Sequence, residues 1–336
     1  MQIREPHRIN RTVSRTVSKK NYSRYIILFI FLLIVFVGWK THGTTSAIAN
    51  FNEVKSGWSG YCLDDYHDKL IPGSSVDIWS CNKSEAQNFE LTLTSIRHDS
   101  LCLSANSPSS IDLESCNSTS PNQVWLRDQS GYYNPNLRLC LSAQNSQSGQ
   151  KLSLNNCSNL ANPSDQWYSS FDYTNYSCNG SQGQVVACNA IKQWMIWNDH
   201  PYNHESLLVG YTGGAPYEEW CADFVSYIFK ISNYPFSNGN YDGWDENNAN
   251  DIYSQGFVVH SAKGSYLPQP GDVGYFSYYG GHVEIVIVGG KEPTFIYGDS
   301  ATIDPTTGNG QMEANTILSV KNLGQIKYYY SPTSKT

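Results

Sequence analysis

A three-part repeat constrains the fold of this 336-residue chain more than any other feature. Each unit begins with a cysteine followed by leucine, continues to a second cysteine, and ends in an aromatic residue with a glutamine nearby. The starting cysteines are about 40 residues apart, so one unit is too small to bury its own hydrophobic face. The three units must therefore share one core. Their cysteines are Cys62 and Cys81, Cys102 and Cys116, and Cys140 and Cys157.

The units end in Gln87-Asn-Phe89, Gln123-Val-Trp125 and Asp165-Gln-Trp167. The chain also contains 24 Tyr and 26 Gly but only 15% charged residues, a composition that favours strands and turns. We therefore expect three four-stranded units related by pseudo-threefold symmetry. The closing aromatic residues should meet near the centre, and one disulfide should close a loop in each unit.

This pattern resembles the ricin-type β-trefoil lectins over residues 55–170, although Asp165 stands where the third unit should have glutamine. The resemblance implies shallow sugar sites. The first unit matches best, with an acid after the first cysteine, an aromatic platform before the second cysteine and the closing amide. In the other two units, the residues at the acid and platform positions do not match this sugar-binding pattern. The implied sugar-binding residues are Asp64, Asp77, Trp79 and Gln87. The alternative is that Asp64 and Trp79 are a turn acid and a half-buried structural aromatic residue.

The N-terminal segment, residues 1–49, predicts export. It has a basic stretch, an apolar run over residues 26–39 and the small-residue sequence Ala47-Ile-Ala49. A cleaved signal peptide is one reading. An uncleaved anchor, with the domains outside the membrane, is the other. Both readings place the body of the protein outside the cytoplasm, where disulfides form.

The charge distribution argues against a nucleic-acid partner. Residues 1–50 carry eight of the 22 basic residues and one of the 29 acids, which leaves 14 basic and 28 acidic residues in the body. Phosphate binding needs clustered Lys and Arg. We expect neither nucleic acid, nor a cofactor, nor a metal.

A change in composition marks a domain boundary after the repeats. Residues 50–170 form the predicted trefoil, and residues 171–190 read as a linker rich in Ser, Asn, Gly and Tyr. Cys178 and Cys188 lie close together in this segment and should form a small disulfide loop. Cys221 is then the ninth cysteine, an odd one that indicates either an intermolecular crosslink or a free thiol that could act as a nucleophile.

The environment of Cys221 supports this interpretation. Trp220, Phe224, Val225, Ile228 and Phe229 recur with helical spacing, which places Cys221 in the first turn of a helix. The positive end of a helix dipole favours thiolate over thiol.

Two candidate partners follow in the chain. His282 begins the second strand of a predicted hairpin, and Asp299 ends the next strand on the face of Phe295 and Tyr297. His282 could accept the thiol proton, and Asp299 could orient its imidazole.

A cysteine on a helix, a histidine on a strand and an acid on the next strand give the papain-like order. Residues 191–336 resemble the CHAP family, cysteine- and histidine-dependent amidohydrolases or peptidases related to the NlpC-type cell-wall peptidases. Family members usually have Glu-Gly-Asn at the last site, where this chain has Tyr297-Gly-Asp299. The resemblance implies the catalytic residues Cys221, His282 and Asp299.

We therefore predict a multidomain protein, an all-β trefoil followed by a papain-like α+β domain. Its predicted function is that of an exported peptidoglycan hydrolase, an N-acetylmuramoyl-L-alanine amidase or a peptide endopeptidase, targeted to glycan by its lectin domain. One alternative is a lectin or adhesin whose hydrolase domain is inactive. The other is a secreted protease or toxin-like effector.

Overall fold

A computed structural model describes most of the chain beyond residue 51, and residues 51–336 form one compact unit. The predicted signal or anchor, residues 26–39, lies outside the described residues. No helix in the described part is long and apolar enough to cross a membrane. The described ranges are 52–157, 162–200, 202–213, 219–234, 257–277, 281–300, 302–304, 307–316 and 326–332.

The described strands of the repeat region pair antiparallel, and a short 3-10 helix lies in each unit, at Glu85–Gln87, Pro121–Gln123 and Pro163–Asp165. The first strand pairs with the last, Ser56 opposite Trp167, and this pairing joins the third unit to the first. The strands of the first unit are β1 (Lys55–Ser56), β2 (Tyr61–Asp65), β3 (Ser74–Ser80) and β4 (Glu90–Leu91). Those of the second are β5 (Ile96–His98), β6 (Leu101–Ser107), β7 (Ser110–Ser115) and β8 (Leu126–Asp128). Those of the third are β9 (Gly131–Asn134), β10 (Leu139–Ser142), β11 (Gln150–Lys151), β12 (Ser153–Asn155) and β13 (Trp167–Tyr168).

The three closing aromatic residues, Phe89, Trp125 and Trp167, are buried in one hydrophobic cluster. Each indole also needs an acceptor for its N–H, because a buried donor without a partner is costly. Trp125 donates to the Leu103 carbonyl at 2.8 Å, and Trp167 donates to the Leu141 carbonyl at 2.9 Å. The predicted all-β trefoil with a shared core is confirmed.

Four disulfides join neighbouring cysteines in the chain. One lies in each trefoil unit, and the fourth ties the segment before the first helix to that helix. The bonds are Cys62–Cys81, Cys102–Cys116, Cys140–Cys157 and Cys178–Cys188.

The C-terminal region contains three described helices, α1 (Gln182–Asp199), α2 (His204–Thr212) and α3 (Cys221–Ile231). Helix α1 begins within the segment that the sequence suggested as a linker. A capping box explains its start, because the Ser181 hydroxyl accepts from the Gln184 N–H and the Gln184 side chain accepts from the Ser181 N–H.

A six-stranded antiparallel sheet completes the region, in the order β14-β19-β15-β16-β17-β18. One face, with Val283, Ile285 and Ile296, belongs to the same core as the helices, and the other face carries a smaller cluster around Phe276 and Phe295. The strands are β14 (Phe257–Ser261), β15 (Val273–Phe276), β16 (His282–Val288), β17 (Thr294–Tyr297), β18 (Glu313–Thr316) and β19 (Ile326–Pro332). This mixture confirms the predicted α+β class.

The trefoil and the C-terminal region share hydrophobic contacts. Val124 and Leu126 of the second unit belong to the same core cluster as Trp194 of α1. The Tyr133 ring stacks on Trp194 with centroids 5.6 Å apart, and its hydroxyl donates to the Ala314 carbonyl at 3.1 Å. The two regions therefore stabilise each other.

We expect Leu126→Ala to lower the free energy of unfolding by about 2–5 kcal/mol, because it opens a cavity in this shared core. The matched control is Leu267→Ala, since Leu267 is 47% exposed and its loss should cost less than about 0.5 kcal/mol. Urea denaturation followed by tryptophan fluorescence measures both. Equal losses in the two variants would contradict the shared core.

Candidate active site and glycan site

Cys221 is the first residue of α3, and its thiol takes no part in the four disulfides. Its side chain is buried, and Phe224, Val225 and Ile228 behind it are fully buried in the core. The first N–H groups of an α-helix have no acceptors within the helix, so they form an electropositive end. Such an end stabilises negative charge on a side chain in the first turn.

Trp220, directly before Cys221, fixes the position of the helix start. Its indole is completely buried and stacks on Trp197 and Tyr211, with centroids 5.4 and 5.8 Å away. Gly298 packs against the same ring, and a Cβ at position 298 would lie 2.1 Å from an indole carbon. Only glycine permits this close approach.

Asp299, at the end of the same segment, holds the helix start from the other side. Its Oδ2 accepts the Trp220 backbone N–H at 3.3 Å, and the Gly310 backbone also hydrogen bonds to the carboxyl group. Burial raises the pKa of Asp299, and the negative charge of Glu219 adds to the rise. The structure thus brings Asp299 to the residue before Cys221.

His282 is the first residue of β16 and is buried. Its ring meets the Tyr297 ring edge-on, with centroids 5.1 Å apart. Burial lowers the pKa of His282 to about 4, and the carboxylate of Glu313 partly opposes this change. The imidazole is therefore neutral at pH 7, the form that can accept a proton.

The elements that carry Cys221, His282 and Asp299 meet at one end of the sheet. Strands β16 and β17 are antiparallel neighbours with Ile285 opposite Ile296, so the start of β16 at His282 and the end of β17 at Tyr297 lie at the same end of the sheet; Asp299 follows β17 with a left-handed φ of 58°. Helix α3 packs against β16 and β17, and its first residues reach this end through Gly298 and Asp299. Cys221 comes from the helix side, and His282 lies on the face that carries Tyr297.

A polar cluster surrounds His282 on that face. The Tyr297 hydroxyl donates to Glu313 Oε2 at 3.0 Å and accepts from Asn315 Nδ2 at 2.7 Å. Asn315 Nδ2 also donates to Glu313 Oε2 at 3.0 Å. Tyr297 thus links His282 to a carboxylate on the next strand.

Glu313 remains charged although burial disfavours the charge. Hydrogen bonds from Thr302, Asn315 and Ser300 outweigh the burial, and together with Arg138 they lower the pKa of Glu313. Arg138 belongs to the trefoil, and its guanidinium lies 3.3 Å from Glu313 Oε2. Glu313 is therefore one charged group that acts on His282, and Glu284 is a second acid beside the ring, its Oε1 3.8 Å from His282 Nε2.

Sequence reasoning missed Glu313. The signal was present in the sequence. CHAP family members usually have Glu-Gly-Asn where this chain has Tyr297-Gly-Asp299, and this chain has the same Glu-x-Asn spacing one strand later, at Glu313 and Asn315. The strand register makes Glu313 the direct partner of Tyr297, the residue that stands where the family has glutamate.

The four predicted sugar-binding residues lie together in the first trefoil unit. Asp64 and Asp77 are directly opposite each other on β2 and β3, and Trp79 follows on the same face of β3. Both oxygens of Asp77 are buried without hydrogen-bond partners among the described residues. Burial and the neighbouring charges of Asp64 and Asp65 raise the pKa of Asp77 to about 7.

Gln87 and Trp79 differ in exposure. Gln87 is fully buried and donates to Asp64 Oδ2 at 2.9 Å, so it holds the carboxylate in place. The Trp79 side chain is 43% exposed, as a stacking platform requires. A segment of the third unit borders the site, because Lys151 pairs with Asp77 and Gly149 lies beside the Trp79 ring.

Comparison with protein families identifies both regions. Residues 50–167 match the family model of the ricin-type beta-trefoil lectin domain. Residues 210–298 match the model of the CHAP domain. No curated protein matches the chain.

Several solved lectin structures are similar to the trefoil part. The C-half of an earthworm R-type lectin, solved with GalNAc, is 16% identical, with a TM-score of 0.32, over 35% of this chain and 95% of that one. The β-trefoil lectin of the Vibrio vulnificus hemolysin/cytolysin, solved with N-acetyl-D-lactosamine, is 22% identical, with a TM-score of 0.31, over 36% and 93%. The agglutinin from Abrus precatorius is 23% identical, with a TM-score of 0.32, over 36% and 49%.

The chain therefore joins an N-terminal β-trefoil lectin region to a C-terminal CHAP domain region.

Proposed function

We propose that this protein is an exported cysteine hydrolase that cleaves an amide bond of peptidoglycan, as an amidase or an endopeptidase. The observation that carries the proposal is the meeting of α3, β16 and the end of β17 at one end of the sheet. This arrangement supports a site made from the thiol at the helix start, the buried imidazole and the carboxylate cluster beside it. The CHAP domain match supports a hydrolase of this class.

In the proposed mechanism, His282 accepts the Cys221 proton and the thiolate attacks the amide carbonyl carbon. The N–H groups at the start of α3 stabilise the oxyanion. The tetrahedral intermediate collapses, the C–N bond breaks, and His282 donates its proton to the leaving amine. Water, deprotonated by His282, then hydrolyses the thioester and restores the thiol.

We assign different tasks to the two carboxylates of the site. Asp299 holds the α3 start through its bond to the Trp220 N–H, and Glu313 stabilises the imidazolium that forms on His282. Tyr297 lies between Glu313 and His282, because its hydroxyl donates to Glu313 and its ring contacts the imidazole edge-on.

The trefoil would hold the enzyme on its glycan. Trp79 offers a flat, exposed apolar surface for a sugar face, and Asp77 lies buried next to it with a raised pKa. A second binding site raises the effective concentration of the scissile bond. The four disulfides fit a protein that works outside the cytoplasm.

A lectin with an inactive hydrolase domain is the second candidate. Tyr297, in place of the usual glutamate, favours it. The proposed role of Glu313 opposes it, because the missing charge is supplied from the next strand.

We expect wild-type protein to release fragments from purified peptidoglycan and Cys221→Ala to release none, because the variant lacks the nucleophile. Mass spectrometry of the products identifies the bond. A new amine on a stem-peptide alanine with a free lactyl carboxyl indicates an amidase, and cleavage within the peptide indicates an endopeptidase. Equal release by both proteins would refute cysteine catalysis. Glycan binding without release by either would favour the lectin.

We expect Glu313→Gln to lower kcat/KM by at least roughly tenfold, because the imidazolium loses its stabilising charge. The acid limb of the kcat/KM profile should also move to lower pH, since a lost carboxylate disfavours protonation of His282. Asp299→Asn is the matched control, because an amide oxygen still accepts the Trp220 N–H, and its effect should be smaller. A larger loss in Asp299→Asn would return the orienting role to Asp299.

We expect Trp79→Ala to weaken binding to insoluble peptidoglycan by roughly tenfold, because the sugar loses its stacking surface. Tyr168→Ala serves as the control, since Tyr168 is a similarly exposed aromatic residue of the trefoil, at 47%. Co-sedimentation in a Cys221→Ala background measures binding without hydrolysis. Equal binding by both variants would rule out Trp79 as the platform.

A further inference from the structure

A second cluster of chemically active side chains lies in the trefoil next to the predicted sugar-binding residues, since Asp65 directly follows Asp64 in β2. Asp65 ends β2, His98 ends β5, and Asp68 lies in the connection between β2 and β3. The potential ligand atoms of the three side chains all lie within 4.8 Å of one another. The cluster therefore joins the first unit to the second.

The hydrogen bonds of His98 determine which ring nitrogen carries the proton. Its Nδ1 lies 3.0 Å from the Asn88 carbonyl oxygen, which can only accept, so Nδ1 is the donor. In the neutral ring, Nε2 then carries a lone pair. The His98 side chain is 4% exposed, and its Nε2 has no hydrogen-bond partner among the described residues.

Asp65 is the second buried side chain of the cluster with a polar atom that lacks a hydrogen-bond partner among the described residues. It is completely buried, its Oδ2 accepts the Leu70 N–H at 2.9 Å, and its Oδ1 has no partner among the described residues. A buried carboxylate without compensation is costly. His98 Nε2 lies 3.9 Å from Asp65 Oδ2, too far for one proton to bridge them.

A metal ion fits this separation. Zinc binds imidazole nitrogen and carboxylate oxygen at about 2.0–2.2 Å, which in a tetrahedral site sets two ligand atoms roughly 3.3–3.6 Å apart, so a side-chain shift of a few tenths of an ångström brings His98 Nε2 and Asp65 Oδ2 to this distance. The other contacts of the two residues match those of metal ligands, because a ligating histidine usually donates its second nitrogen to a carbonyl or carboxylate. Here His98 Nδ1 donates to the Asn88 carbonyl, and the Leu70 N–H donates to the Asp65 carboxylate.

We infer that Asp65, Asp68 and His98 form a binding site for a divalent transition-metal ion of the zinc class. His98 Nε2 and Asp65 are the buried ligands, and Asp68, which is exposed, closes the site from the connecting segment. Water completes the coordination. One imidazole with two carboxylates selects zinc-class ions over calcium and magnesium, which prefer all-oxygen sites.

The ion would tie the β2–β3 connection to the second unit. His67, Asp68 and Leu70 in this connection adopt left-handed backbone angles, with φ of 66°, 49° and 47°. Such angles are unfavourable for residues other than glycine. A ligand from this segment to β5 would hold the connection in place.

Isothermal titration calorimetry of the full chain with Zn²⁺ tests the site, in a Cys221→Ala background that removes the competing thiol. We expect one tight site in the parent and at least roughly tenfold weaker binding in Asp68→Asn. Asp99→Asn is the matched control, because Asp99 is also exposed and left-handed at φ 53° and lies next to His98. Asp99→Asn should bind Zn²⁺ as the parent does.

The melting temperature in Zn²⁺ gives a second readout, and it should rise for the parent and for Asp99→Asn only. X-ray absorption at the zinc edge should show one imidazole, oxygen ligands and no sulfur. Equal Zn²⁺ affinity in Asp68→Asn and Asp99→Asn would overturn the inference. A preference for Ca²⁺ over Zn²⁺ would also overturn it.

Discussion

The contact between the Trp220 indole and Gly298 is the constraint on which the catalytic region depends. The ring fills the space that any side chain at position 298 would need, and Trp197 and Tyr211 hold it from the other side. Because Trp220 precedes Cys221, this packing fixes the helix start in relation to the end of β17. Helix start and sheet end are thus coupled through one buried aromatic residue.

Two carboxylates lie near this contact, Asp299 and Glu313, and they interact with different groups. Asp299 serves the helix start, whereas Glu313 acts on His282 through the neighbouring strand. Their environments push the two carboxyl groups in opposite directions, since burial raises the pKa of Asp299 and hydrogen bonds lower that of Glu313. Such a pair suits a site that needs one positioning group and one permanent charge.

Sequence patterns predicted the features that depend on local spacing. The trefoil and its shared core followed from the repeat, and the helix start at Cys221 followed from a helical period. The Glu-x-Asn spacing at Glu313 is a local signal, but the place of Glu313 beside Tyr297 depends on pairing between strand residues 16 positions apart, which local spacing does not predict. Leu126 in the shared core, and His98 near Asp65, depend likewise on contacts between units, which no local pattern encodes.

The shared core limits how the two regions can be separated. Here a cut between the two regions would expose Trp194 and Tyr133 to water and take Arg138 away from Glu313. A chimera without the trefoil would therefore need a new apolar cover and a new cation. The trefoil is thus a structural support of the CHAP domain region.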